Sequence, residues 1–457
     1  MKKKLLIIVS DNFMFRNYIK TKTFNNIKKK YYCYFLFDKS INLKKSTIKE
    51  KEHFVFEYSE NEKNKYKNYY LSRIFKKTQK SSTYILAKKI FLTYNKWIDH
   101  NNENLIKKFL LGPLRILIFT KYYLQYLYLK LSFCDFFRNY FEKKINLNDN
   151  LKNKVLKINP DLIILPTKAS DVYYFDLKKI SDKYKIKLFY LIDNWDNVSA
   201  KSVIFQQQFY GVWGKQSYNQ VKYIHDINLK NTFILGSPRF ESFFKLTNKK
   251  IKSHYRHKYI LFLENTYPRE IIALKYLDDY INKNATLKNF KIIYRPHPWR
   301  KSRKIINIKD YKNVIIDKQM ARAYKKKEFS KNSQPDLNYY PSLIKNAEFI
   351  IAGPTTMVIE SLIFRKKILL LAFKESEHPY SPHNLYKYFE HFKGINKFNN
   401  IIINNSLNEL DKDIHKINNN EKKEIKKIDL KRNYFLFRDR NGYKSRLQNI
   451  IKKILDI

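Results

Sequence analysis

Short apolar runs separated by helix-length segments decide the architecture of this chain. LLIIV (5–9), YYCYFLF (31–37), FVFEY (54–58), DLIIL (161–165), KLFYLI (187–192) and TFILG (232–236) carry almost no polar alternation. Strands of that kind are buried on both faces, which requires a parallel sheet with helices above and below it. The pattern restarts with YILFL (259–263), FKIIY (290–294), NVIID (313–317), EFIIA (348–352) and KILLLAF (367–373). The reading is an α/β chain of two Rossmann-like halves with the break near 240–255: an N-terminal domain over 1–240, a C-terminal domain over 241–430 and a helical tail over 431–457. At 457 residues the chain is past the size at which one hydrophobic core stops growing, so two domains are expected.

Between the third and fourth runs lies a helical insertion, about 66–150, in which aromatics and leucines alternate with Lys and Arg. It reads either as helices packed on the first domain or as an interfacial membrane element, apolar on one face and lysine-rich on the other. Its most apolar stretch, 109–137, contains Arg115, Lys121 and Lys130 and is not a membrane span. The opening MKKKLLIIVSDN imitates a signal peptide, but its apolar run is short and Ser10-Asp11-Asn12 follows at once, so a buried strand and a helix cap are expected. Residues 319–340 read as an exposed loop, 403–427 as a solvated polar helix, and the stretch from 442 as a short basic helix.

Composition narrows the chemistry. The 92 Lys and Arg against 41 Asp and Glu leave a net charge of +51, which favours polyanions, anionic lipid or phosphorylated substrates. Part of that balance follows from the abundance of Lys, Asn, Ile, Phe and Tyr, whose codons are A/T-rich. No RNA-recognition motif is present and the basic residues are spread along the chain, which disfavours nucleic acid as the partner. Seven glycines form no GxGxxG or GxxxxGK loop, and two cysteines, Cys33 and Cys134, cannot build a zinc cluster and fit a reducing cytoplasm.

Three strand ends carry polar residues that packing does not call for. KIIYRPHPWR places Arg295, His297 and Arg300 where ligands sit in open α/β sheets, stiffened by Pro296 and Pro298; the alternative is a surface loop with incidental charge. EFIIA runs into Gly353-Pro354-Thr355-Thr356 and an apolar helix, an arrangement suited to an anion, with Glu360 one turn on and able to accept from ribose hydroxyls; the alternative is ordinary capping. KLFYLI ends in Asp193-Asn194-Trp195-Asp196 and, further on, Lys201, suited to a hydroxyl-rich acceptor with Asp193 or Asp196 as general base. Asp411-Lys412-Asp413 matches a DxD metal motif but sits in a charged tract without a strand, and His254 and His257 lack a third ligand. His378-Pro379 repeats the HP dipeptide and could line the same cleft.

Taken in order, DNWDNVSAKSV, VWGKQSYNQVKYIHDI, ILGSPRFESFF, YRPHPWR, IIAGPTTMVIESLIFRKKILLL, LYKYFEHFKGI and DRNGYKSRLQNII resemble the bacterial GT-B-fold glycosyltransferases related to CDP-glycerol glycerophosphotransferases and capsule polysaccharide transferases. The resemblance covers about 155–455. It implies two Rossmann-like domains facing a cleft, with donor phosphates held by His297, Thr355 and Thr356, to which the strand end itself adds Arg295 as a phosphate candidate. It assigns Glu360, Gly236, Ser237 and Arg239 to the nucleotide, and leaves the role of His391 open. The insertion and the 319–340 loop have no match, so acceptor identity does not carry over.

The resulting expectation is a cytoplasmic enzyme, or one peripheral on the inner face of the cytoplasmic membrane. It would move a sugar from a nucleotide-sugar donor to a surface glycan or lipid-linked acceptor, with no metal and no cofactor. Asp193 or Asp196 would act on the acceptor hydroxyl while charge builds on phosphates held by His297 and Thr355/Thr356. The rivals are a CDP-glycerol or CDP-ribitol polyol-phosphate transferase, a nucleotide-sugar 2-epimerase, and a non-catalytic nucleic-acid-binding protein.

Overall fold

Runs of Leu, Ile, Val and Phe with no polar face can be satisfied only by covering both sides, and two sheets do this. The computed structural model describes residues 2–41, 43, 53–59, 62, 64–94, 112–168, 172–201, 208–267, 269–298, 306–325, 335–376, 378–419 and 431–457. The first sheet contains β1 (Lys4–Val9), β2 (Tyr32–Asp38), β3 (His53–Phe56), β4 (Leu162–Thr167), β5 (Lys187–Ile192), β6 (Phe209–Val212) and β7 (Thr232–Ile234), in the order β3-β2-β1-β4-β5-β6-β7. The second contains β8 (Tyr259–Leu263), β9 (Lys291–Arg295), β10 (Val314–Ile316), β11 (Ile350–Ala352), β12 (Ile368–Leu371) and β13 (Ile401–Asn404), in the order β10-β9-β8-β11-β12-β13. Every strand pairing among the described residues is parallel. These are two Rossmann-like layers, and the fold is GT-B-like.

Alternate residues of each strand feed opposite cores. Leu6 and Ile8 of β1 pack with Val155, Leu177 and Val221 on one face, while Leu5, Ile7 and Val9 pack with Met14, Tyr18 and Leu447 on the other. In the second sheet Leu261 and Leu263 meet Leu343, Val358 and Leu362, while Ile260 and Phe262 meet Leu274, Leu277 and Ile414. Both layers are therefore covered twice, as an uninterrupted apolar strand requires.

Between β3 and β4 lie helices Lys67–Lys76, Ser82–Lys89, Gly112–Lys130, Asp135–Lys143 and Asp149–Ile158. Asp11 caps the turn after β1 by accepting from Met14 N at 2.9 Å, as the opening sequence implies. The stretch expected as a loop from 319 instead begins in a helix, Lys318–Lys325. Asp317 Oδ1 accepts from Met320 N at 3.0 Å and Met320 is buried, so one cap and one apolar anchor hold a turn that its lysines obscure. The expected polar helix after 403 forms as Leu410–Asn419, with Leu410, Ile414 and Ile417 buried, and residues 420–427 lie outside the described residues.

The chain then returns. Phe435 and Leu436 enter the second core, Phe437 N donates to Trp213 O at 2.8 Å, and the helix Gly442–Asp456 lays Tyr443, Leu447, Ile451 and Ile454 on the first sheet. This returning segment crosses two glycines at very short range. A Cβ on Gly214 would lie 2.6 Å from Tyr434 O, and one on Gly236, whose φ is +84°, would lie 2.6 Å from Phe437 O. Gly236→Ala is expected to lower unfolding stability by ~2 kcal/mol or more in chemical denaturation; a loss below ~0.5 kcal/mol would show that the returning segment simply moves aside.

Candidate active site

In a parallel sheet, ligands bind beyond the carboxyl ends of the strands where the strand order reverses. Here the order reverses between β1 and β4 and again between β8 and β11. Residues following β1 and β5 meet residues following β8, β9 and β11 around a cavity of about 140 Å³. The first half contributes Phe13, Arg16 and Asn194, and the segment joining the halves contributes Arg239. The second half contributes Glu264, Arg295, His297, Thr355, Thr356 and Glu360.

Three guanidinium groups converge on this cavity. Arg295, the last residue of β9, is pinned by Asp317 Oδ1 at 2.5 Å and Gln319 Oε1 at 2.7 Å, with its plane 4.5 Å from the Tyr340 ring. Arg239 donates to Glu360 Oε1 at 2.9 Å, both side chains being buried, and Glu360 Oε2 has no hydrogen-bond partner among the described residues. Arg16 differs from both. It sits on the turn Phe15–Ile19 and donates only to neutral oxygens among the described residues, Asn17 Oδ1 at 3.0 Å and Pro335 O at 3.1 Å. It is 6% exposed, and burial lowers its pKa from the usual arginine value.

His297 is fixed by Pro296 and Pro298 on either side, by its N–H to Glu264 Oε1 at 3.4 Å, and by Thr266 Oγ1 at 3.4 Å from Nε2. Burial first, and then the charge of Arg295, holds its pKa down to about 4. At neutral pH the imidazole is therefore uncharged and offers a hydrogen bond rather than a cation; an arriving phosphate would raise its pKa. Thr355 and Thr356 are half-buried at the start of helix Met357–Ile363, and Thr356, its N-cap, makes no side-chain capping bond. Simple capping does not account for that hydroxyl.

Arg239, Arg295, His297, Thr355, Thr356 and Glu360, all chosen from the sequence, share this one cavity. Others lie elsewhere. Asp193 is fully buried beneath it, accepting from Asn17 Nδ2 at 3.1 and 3.2 Å, so its neighbour Asn194 reaches the cavity and Asp193 positions the turn that bears Arg16. Asp196 accepts from Asn197 Nδ2 at 3.2 Å and faces His391 instead. Trp195 and His391 meet edge to face, their ring centres 4.8 Å apart, within the seam between the sheets, and Lys201 offers its carbonyl to Tyr84 Oη at 3.2 Å. Gly236 and Ser237 lie buried where the returning segment passes, away from the cavity lining. His378 Nδ1 accepts from Tyr380 N at 3.1 Å, and Tyr380 stacks on Tyr267. Arg300 lies outside the described residues. The DxD tract lies on helix Leu410–Asn419, where Asp413 accepts from Asn404 Nδ2 at 3.0 Å.

Arg16, Phe13 and Glu264 are not singled out by the sequence, and Asn194 stands there only as a member of the Asp193–Asp196 strand end. The available signal was positional: FMFRN directly follows the first strand, where a reversal of strand order places a ligand crevice. A larger cavity of about 530 Å³ adjoins the first through Arg16 and Pro335 and is lined by Lys20, Lys245 and Lys444 among others.

No protein-family model and no curated protein matches the chain. Solved structures resemble it over nearly full length at low identity. The UDP-GlcNAc 2-epimerase from Methanocaldococcus jannaschii is 13% identical, with 98% of this chain and 99% of that one covered and a TM-score of 0.46. The glycotransferase of kitacinnamycin is 9% identical, with 99% of both chains covered and a TM-score of 0.47. The wall teichoic acid polymerase TagF is 10% identical, with 100% and 89% covered and a TM-score of 0.44.

Two buried histidines, His225 and His391, and the half-buried His297 make stability depend on pH. Burial lowers the pKa of His225 to about 3 and those of His297 and His391 to about 4, against 6.5 for an ordinary imidazole. The unfolded chain takes up these protons as pH falls below that value while the folded one refuses them, so stability present above it is lost on acidification. Asp193, raised to about 6 chiefly by burial, works in the opposite sense: its contribution is present at low pH and is lost as pH rises through about 6. Three groups oppose one, so the melting temperature is expected to fall between about pH 7 and about pH 5, with a shallower slope in His391→Gln. A flat profile in the parent protein would contradict these neutral imidazoles.

Proposed function

We propose that this protein is a glycosyltransferase that moves a sugar from a nucleotide-sugar donor to a surface glycan or lipid-linked acceptor. The observation that carries the reading is Arg16, a buried guanidinium with no carboxylate partner among the described residues, at a cavity that already holds Arg239, Arg295 and His297. A buried cation of that kind calls for an anion, and a diphosphate supplies one. Such a group would lie between Arg16 on one side and Arg295, His297 and the Thr355 and Thr356 hydroxyls on the other. Glu360 Oε2, lacking a partner, would accept from a ribose hydroxyl.

Transfer then needs three things. The bond from the anomeric carbon to the phosphate oxygen breaks, and its electron pair stays with the diphosphate, where the fixed guanidinium groups and the neutral imidazole N–H oppose the growing charge. The acceptor oxygen forms the new bond to that carbon, approaching from the 530 Å³ cavity that adjoins at Arg16. Its proton goes to a carboxylate, and Glu264 is better placed for this than Asp193 or Asp196, because it lines the cavity and they do not.

Thermal unfolding in the presence of UDP, GDP, CDP and CMP tests the reading. A nucleotide at about 100 times its Kd stabilises by ~2.7 kcal/mol, a shift of roughly 3 °C for a chain of this size. UDP or GDP is expected to give that shift, with most of it lost in Arg16→Ala and in His297→Ala. A response confined to CDP or CMP would move the assignment to polyol-phosphate transfer, and no response to any nucleotide would remove it.

A further inference from the structure

Helices Gly112–Lys130 and Asp135–Lys143 expose a surface that packing leaves uncovered. More than half of the exposed large apolar side chains among the described residues fall within residues 116–141. Ile116, Leu117, Leu124 and Phe141 are mostly exposed, and Phe133 and Phe136 are each 73% exposed. Monomeric soluble proteins rarely leave so much contiguous apolar surface without a partner.

The platform beneath is rigid. Arg138 ties the two helices together by donating to Tyr128 O and, at 2.9 Å, to Leu131 O. Ser72 Oγ donates to Leu129 O at 2.7 Å, the Phe75 ring meets Tyr126 at 5.2 Å, and Lys76 pairs with Asp135. The inner faces are thus packed and tied, and the rings left outside belong to an ordered surface.

Cations frame those rings. Lys121, Lys130, Lys143 and Lys144 are exposed on the same unit, and Lys144 Nζ lies 4.4 Å from the centre of the Tyr140 ring. Within 112–144 the sequence has six Lys or Arg against Asp135 and Glu142 alone. A second copy of this chain is a poor occupant, because pairing would bring two chains of net charge +51 together. Among the described residues no helix is long and apolar enough to cross a membrane.

We propose that this surface docks on an anionic lipid bilayer, with the rings and aliphatic side chains entering the boundary between headgroups and acyl chains and the lysines remaining among the lipid phosphates. The helices lie along the membrane plane. The proposal is independent of the cleft and of what the cleft binds.

Flotation of the full-length protein with vesicles of phosphatidylcholine alone, and with ~30% phosphatidylglycerol added, tests it. The protein is expected to float with the anionic vesicles, much less with the neutral ones, and less as salt rises. A variant carrying Phe133→Ser, Phe136→Ser and Phe141→Ser should lose ~10-fold or more of its partition. A second variant, Lys121→Gln with Lys130→Gln and Lys143→Gln, should lose the preference for anionic lipid. Both should melt at the parent's temperature and keep its response to nucleotide, which separates this test from that of the cleft. The proposal is overturned if the parent floats with neither vesicle, if the phenylalanine variant floats like the parent, or if sedimentation shows a dimer that the same three substitutions abolish.

Discussion

One indole holds the two sheets in register. Trp195 leaves the first sheet after β5 and packs with Phe392 and Phe435 in the core of the second. Its Nε1 donates to Gln216 Oε1 at 2.8 Å, and Gln216 Nε2 in turn donates to the carbonyls of His391 at 3.0 Å and Lys393 at 3.2 Å. Every polar atom of that chain of bonds is buried or nearly so, and breaking one link would strand its partners away from water. Glu390 adds a second tie, accepting from Ser82 N at 3.1 Å, Ser82 Oγ at 2.7 Å and Tyr223 Oη at 2.9 Å. The width of the cleft follows from this seam, because the strand ends that carry Arg16 and His297 are fixed relative to it.

The chemistry of the cleft rests on unequal pairing. Arg239 and Arg295 each have a carboxylate of their own, Glu360 and Asp317, while Arg16 has only an amide oxygen and a carbonyl. Pairing keeps two of the cations rigid, and the third is left with attraction to offer an incoming anion. His297 contributes direction rather than charge. Under the proposed reading, that division lets a few groups select an anion in a protein of large overall positive charge: surface lysines are screened by solvent, and buried guanidinium groups are not.

Much of the fold was legible because parallel strands covered on both faces leave an unbroken apolar record, from LLIIV to KILLLAF. The two strands that escaped notice show the limit of that signal. β6 is short and interrupted by Gly211, and β13 is three isoleucines set among asparagines, so neither resembles a core strand until its neighbours are known. In the site, the RPHP and GPTT strand ends were readable because polar and rigid residues there had no packing role. Trp195 and His391 were not, since an aromatic that lines a cleft and one that fills a seam are written with the same letter. Arg16 looked like one more basic residue in a chain crowded with them, and only the folded arrangement shows that its charge is buried.

The helix Gly442–Asp456 completes a face of the first sheet by covering Leu5, Ile7 and Val9. On a ribosome this helix is made long after the strand it covers, with the entire second layer synthesised between them. The first sheet therefore cannot mature on its own schedule; the face of β1 that Met14 and Tyr18 share with this helix stays only partly covered until residues 442–456 have been made. Its folding is a property of the whole chain, and a chain cut before residue 442 would be wounded at its beginning.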